Sequence, residues 1–201
     1  MDNQHSVSSG MTVEDRILDA AMMIFSKNGF HGSTTIKIAQ KAGVNEITIF
    51  RKFKSKENLL KAVVERNLTE TLDTMDYILC KEKSTDIEIC IKNLGITLKQ
   101  FLDSRMDFIH MMITEGKIRP DIKESSKLLR IKLLEHLKDY FIDQMNQGTI
   151  RKVDPNVLAF DLFSFIFYKS LSENIFGDNL LTDDEKTFED YSAILMKGIL
   201  I

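Results

Sequence analysis

Apolar residues recur at helical spacing from the start of the chain. Ile17, Ala21 and Ile24 fall on one stripe, and Leu18 and Phe25 widen it. Thr12, with Asp15 three residues on, predicts the start of this first helix, and Asn28-Gly29 predicts its end. Ser33, Thr34 and Thr35 offer caps for a short second helix over 36–42. Gly43 follows, Asn45 starts a third helix to about Phe53, and Ser55 caps a fourth that runs to about Cys80. Thr85 and Glu88 form a capping box for a helix to about Ser104, and a shorter one covers Met106 to about Glu115. Pro120 opens a helix to Asn146, ended by Gly148. Asp154-Pro155 opens a strongly apolar one to Phe176, stopped by Gly177, and Thr182 with Glu185 caps the last. The pattern gives an all-α protein of about nine helices.

Composition narrows this further. Two prolines and nine glycines in 201 residues leave too little punctuation for an all-β fold. Cys80 and Cys90 are the only cysteines, which makes neither a disulfide framework nor a zinc set and suits a reducing cytoplasm. The most apolar stretch, Leu158 to Leu171, is broken by Asp161 and Lys169 and is short of the roughly 20 residues of a membrane span, so no membrane partner is expected. Residues 1–11 lack the regions of a signal peptide and read as a flexible arm.

Charge is unevenly placed. From Lys27 to Lys56 the chain holds seven basic residues against Glu46 alone, a balance of +6, so with a total of −3 the remainder carries −9. A basic island of this kind supplies sequence-independent affinity for phosphates. It coincides with a helix–turn–helix pattern. Ala39 is the small residue at the helix crossing, Gly43 suits the positive φ of the turn, and Ile38, Ala42, Val44, Ile49 and Phe53 point inward. With Ile49 and Phe53 inside, the rotation of about 100° per residue turns Ile47 and Arg51 outward, flanked by Thr48 and Phe50. That face suits a major groove. Arg51 is matched to the O6 and N7 of guanine, Ile47 to a thymine methyl, and Glu46 to cytosine N4 or to the rejection of phosphates. Thr35, at the head of the second helix, suits a phosphate, as do Thr48 and Lys56.

The segments ILDAAMMIFSKNGFHGSTTIKIAQKAGV and NEITIFRKFKSKENLLKAV, within residues 12–62 and just beyond, resemble the TetR/AcrR family of transcriptional regulators. The likeness implies an N-terminal helix–turn–helix domain over 12–58 and a larger helical effector-binding and dimerisation domain over 59–201. It implies a homodimer that binds a palindromic operator on double-stranded DNA as a repressor and is released by a small-molecule effector. The family's phosphate contacts fall on Thr35, Thr48, Phe50 and Lys56, and its base-reading positions on Asn45, Glu46, Ile47 and Arg51. Phe50 replaces the usual tyrosine and so lacks its hydroxyl. Ile47 replaces a common glycine. Ile36 stands where some members carry a base-contacting arginine, so the second helix is expected to add little to readout.

Beyond residue 62 the likeness is one of architecture. The helix from Pro155 is apolar on nearly every side and must be covered on nearly every side. In the family the last two helices form a four-helix bundle across a two-fold axis. Phe160, Phe165, Tyr168, Phe188, Tyr191 and Leu195 are the candidates for that interface. Met106, Phe108, Met111, Met112, Phe141, Phe163 and Phe167 are candidate walls of a pocket for an apolar or amphipathic effector, with His110 as a polar element. No metal or cofactor is expected, since no histidine has a partner at metal-binding spacing. The rival reading, an all-α small-molecule-binding protein or enzyme with an incidental basic patch, requires a catalytic constellation or phosphate loop, and the sequence shows neither.

Overall fold

The computed structural model describes residues 11–81, 86–178 and 180–199. Apart from Met11, the expected N-terminal arm lies outside them, as does Thr85. The described residues form nine α-helices: α1 Val13–Gly32, α2 Thr35–Ala42, α3 Glu46–Phe53, α4 Lys56–Lys81, α5 Ile87–Ser104, α6 Met106–Gly116, α7 Pro120–Asn146, α8 Pro155–Leu171 and α9 Asp184–Ile199. A π-helical turn, Ser172–Phe176, follows α8 directly. Among the described residues no helix is long and apolar enough to cross a membrane, and no group of three or more acidic, His or Cys side chains is placed to hold a metal.

The chain packs as two units, Met1–Asn67 with Asp107–Lys123, and Leu68–Met106 with Glu124–Ile201. They part within α4. Residues 107–123, which carry α6, group with the N-terminal helices.

In the first unit, local chemistry sets the helix ends. Thr12 Oγ1 accepts the Asp15 N–H at 3.1 Å, and Asp15 accepts the Thr12 N–H at 3.0 Å, a complete capping box. Gly29, at φ 66°, breaks α1 one turn before its end. Asn45 caps α3 through the Ile47 N–H, and Ser55 caps α4 through the Asn58 N–H. Gly43 takes the left-handed conformation that the turn between α2 and α3 requires, and its neighbour Val44 donates to Ala39 O at 3.0 Å. Ile17, Ala21, Phe25, Ile38, Ile49, Leu59 and Leu60 are almost wholly buried and form the core.

In the second unit α5 packs on α8 and α9. Asp86 caps α5 by accepting the Glu88 and Ile89 N–H groups. Asp183, not Thr182, caps α9 by accepting the Lys186 N–H at 3.1 Å, and Glu185 pairs with Lys92 instead of closing a capping box. Lys99 and Lys169 are buried among three acids. Lys99 Nζ lies 2.8 Å from Asp103, 2.7 Å from Glu173 and 3.1 Å from Asp184. Lys169 bonds Glu173, Asp184 and the Leu181 carbonyl. Burial opposes the charge on Lys99, but its three carboxylates outweigh that and raise its pKa above the ordinary value. The network ties α5, the π turn and the head of α9 together.

Two expectations from the sequence need correction. Phe188 is not available to a partner subunit: it is fully buried, and its ring occupies the space over Gly95, where a Cβ would stand 2.4 Å from it. Phe165 and Tyr191 stack on each other at 4.2 Å, and the Tyr191 hydroxyl donates to Asp161 at 2.7 Å. Burial and that carboxylate hold the phenol protonated far above its usual range. Phe160 and Tyr168 are exposed, as are Val157 on α8 and Ile194 on α9, and Leu195 is half-buried.

The second correction concerns the pocket. His110 is exposed. Met106, Phe108, Met111, Met112 and Phe141 are buried, and none of them lines a small apolar void found in the second unit. That cavity, about 20 Å³, is walled by Met75, Leu98, Phe101, Leu102, Leu133, Phe163 and Ile166. Phe163 alone of the candidates lines it, and Phe167 stacks on Phe163 at 5.6 Å. The space would hold about one water molecule.

Candidate nucleic-acid interface

α3 has eight residues, too few to be stable by itself. Its hold on the protein comes from Ile49 and Phe53, which are buried, and from caps at both ends. Lys54 ends it at φ 70°, with its N–H on Phe50 O at 2.9 Å. With one side fixed inward, the other presents Ile47, Phe50 and Arg51, three and four residues apart, to solvent. Ile47 is 73% exposed. Thr48 and Glu46 are half-buried and Asn45 is exposed.

Several of these groups already have partners. Thr35 Oγ1 donates to the Glu46 carboxylate at 2.5 Å and joins the first turns of α2 and α3. The Asn45 oxygen is occupied as the α3 cap, which leaves its NH₂ to face outward. Of the basic residues, Lys52 pairs with Glu14 at 3.0 Å and Lys54 donates to Arg51 O at 3.0 Å. The side chains of Lys27, Lys37, Lys41 and Arg51 are exposed and carry no hydrogen bond or ion pair among the described residues. They are the cations most ready to meet phosphate or base edges.

Lys56 is placed differently from the sequence expectation. Its ammonium donates to Phe30 O at 2.8 Å and Ser33 O at 2.9 Å, and sits 4.2 Å from the Phe30 ring centre. α6 supplies Glu115, whose Oε1 accepts the Phe30 N–H at 2.8 Å, and the Arg119 guanidinium just beyond that helix lies 4.5 Å from the same ring. The turn after Gly29 is thus held through its N–H, its carbonyls and its aromatic ring. The other Glu115 oxygen and the Arg119 Nε are buried with no hydrogen-bond partner among the described residues. Sequence reasoning did not find Glu115 or Arg119. They lie 85 and 89 positions beyond Phe30, and nothing local marks them.

A buried-core three-helix unit with a capped, outward-facing third helix on a basic segment defines a helix–turn–helix DNA-binding protein. Residues 17–63 match the model of the bacterial regulatory proteins of the tetR family. The chain is 29% identical to the uncharacterized HTH-type transcriptional regulator YvkB of Bacillus subtilis, over 92% of this chain and 95% of that one. It is 33% identical to the fatty acid metabolism regulator protein of B. subtilis over 62% of this chain and 60% of that protein. The crystal structure of the transcriptional regulator FadR from B. subtilis in complex with stearoyl-CoA superposes with a TM-score of 0.66 at 20% identity, covering 90% of this chain and 96% of that one. Residues 17–63 thus carry a tetR-type DNA-binding domain, and along nearly its whole length the chain is similar to HTH-type transcriptional regulators.

Proposed function

We propose that this regulator is a cytoplasmic repressor that binds a palindromic operator as a homodimer and releases it when an apolar or amphipathic small molecule occupies the second unit. The observation that carries the DNA half is the outward face of α3, where the side chains of Ile47, Phe50 and Arg51 are exposed to solvent. Thr35 and Glu46 position that face. Arg51 reads guanine, and Asn45 and Thr48 lie within the reading and phosphate-contact set. Two copies related by a two-fold axis place their α3 helices about 34–36 Å apart, one turn of B-DNA, which is why the site is palindromic.

Homodimerisation is supported by large apolar side chains left in solvent on α8 and α9. Val157, Phe160, Tyr168 and Ile194 are each about 60% exposed or more. A second copy covering them removes that surface from water. The effector class is supported by the fatty acid metabolism regulator among the similar proteins; a small void in the second unit, about the size of one water, has seven apolar lining side chains. Within the first unit, the Glu115–Phe30 bond is the point at which a displacement of α6 reaches the turn leading into α2.

The test is fluorescence anisotropy on DNA selected by the protein from a random pool, with and without stearoyl-CoA and with free CoA as control. Coupling of about 1–3 kcal/mol, or roughly 5- to 150-fold weaker binding, is expected with the acyl form alone. Equal operator affinity at saturating stearoyl-CoA refutes that effector class. A monomer in sedimentation at micromolar protein refutes the dimer.

A further inference from the structure

The large apolar side chains exposed on α2 and α3 are Ile36 at 54%, Ile47 at 73% and Phe50 at 45%. The remaining apolar residues of these helices, Ile38, Ala39, Ala42, Ile49 and Phe53, are buried. Ile36 and Ile47 each directly follow one member of the bonded pair Thr35–Glu46, which brings the heads of the two helices together. The surroundings are basic. Lys37, Lys41 and Arg51 are exposed and carry no hydrogen bond or ion pair among the described residues. Complementarity of charge selects a polyanion. Among the groups that duplex DNA presents in its major groove, the apolar one of ordinary sequence is the C5-methyl of thymine.

We infer that Ile36 and Ile47 act together as a thymine-methyl reader, so that α2 contributes to base recognition beside α3. The inference rests on the DNA-binding reading above and adds a specificity element to it. The Thr35–Glu46 bond is the positioning element. It holds the Glu46 carboxylate away from free rotation over the bases and fixes the offset between the two isoleucines. Cytosine at a read position presents its N4–H₂ donor to an apolar side chain and goes unpaired, so thymine is preferred over cytosine there.

The experiment begins with DNA selected from a random pool. Each thymine of the enriched half-site is then replaced by deoxyuridine, which keeps every hydrogen-bonding edge and removes only the methyl. Affinity is expected to fall about fourfold for each methyl contacted, the effect of exposing one methylene-sized group. At least two thymines per half-site should respond. Ile47→Ala should abolish the response at one of them and Ile36→Ala at another, each leaving the rest intact. Both side chains are exposed, and urea unfolding of each variant confirms that the fold is kept. If no sequence is enriched, the DNA-binding reading itself fails. If a motif is enriched but tolerates deoxyuridine at every position, the methyl reader is refuted while DNA binding stands. If Ile36→Ala retains the full deoxyuridine response at every thymine, α2 takes no part and the two-helix reader is refuted.

Discussion

Lys56 offers the sharpest separation between a residue that touches DNA and one that holds the DNA-reading helices in place. It stands at the first position of α4, where the positive end of the helix dipole disfavours a cation by about 0.3–1 kcal/mol. Something must offset that, and the structure shows two carbonyls and an aromatic face. Hydrogen bonds from a charged donor contribute about 1.5–3 kcal/mol each, and a cation over an aromatic ring at a partly open site about 0.5–1 kcal/mol. The side chain is only half-buried, so the lower ends apply, and removing the charge also relieves the dipole. Lys56→Met, which keeps the stem, is therefore expected to destabilise the protein by about 3 kcal/mol. The assay is urea unfolding of the variant, paired with DNA affinity across a range of salt. A residue whose work is phosphate contact would leave unfolding unchanged and flatten the salt dependence by about one counterion per subunit. The reverse is expected here: a lowered unfolding midpoint with little change of slope. Unaltered unfolding together with a flattened slope would refute the clamp.

Arg51→Ala is expected to cost about 1–3 kcal/mol on the selected site and to relax preference at a single base pair, read by competition with variant duplexes. Gly95→Ala places a methyl 2.4 Å from the fully buried Phe188 ring. Overpacking of about 1–3 kcal/mol outweighs the helix-propensity gain of up to about 1 kcal/mol, so urea unfolding should show a net loss. Asp184 is partly buried, which alone would raise its pKa, but hydrogen bonds from Lys169 and Lys99 outweigh burial and hold it below the ordinary 3.8. A depressed folded-state pKa contributes stability that is complete above the unfolded value and is lost as the pH falls through the folded one. Acid unfolding followed by circular dichroism should therefore show wild type losing stability more steeply than Asp184→Asn below about pH 4, with the variant weaker at neutral pH.

Helix boundaries were legible wherever the deciding contact is local. Thr12 with Asp15, Asn45, Ser55 and Asp154 with Pro155 all act within three residues of themselves, and sequence spacing captures that reach. The error at α9 was of one residue. There two cap-forming residues, Thr182-Asp183, stand side by side, and spacing alone does not choose between them. The outward turn of Ile47 and Arg51 followed from the buried positions of α3. The exposure of Ile36 had the same signal, since it lies off the side marked by Ile38, Ala39 and Ala42. What sequence could not show was partnership across the fold. Phe188 is apolar at helical spacing in either reading, and only Gly95, 93 positions earlier, makes it core. Lys56 and Glu115 are charged and read as surface until their partners, the backbone groups of one turn, are brought to them.

The same contrast separates how the two units are held. In the first, α3 has caps at both ends and buried residues along one side, and the Thr35–Glu46 bond couples it to α2. Bending that pair internally would break several hydrogen bonds at once, so recognition is more cheaply altered by moving α2 and α3 as one body. Gly29 breaks α1 beside the Phe30 turn, and Glu115 of α6 with Lys56 of α4 holds that turn, so a displacement of α6 would be passed to it. In the second unit the lysine–carboxylate network fastens α5 to the π turn and to α9, and opening it would strand buried charges at several kcal/mol. The cavity between α4, α5, α7 and α8 is walled by apolar side chains, which hold each other by dispersion and not by directed bonds. Widening it breaks no directed bonds among these walls, and an apolar guest would supply new van der Waals neighbours to the walls that part. If the proposed effector enters here, the energetics direct the change to the α4 and α7 side of the cavity and leave the α5–α9 packing fixed.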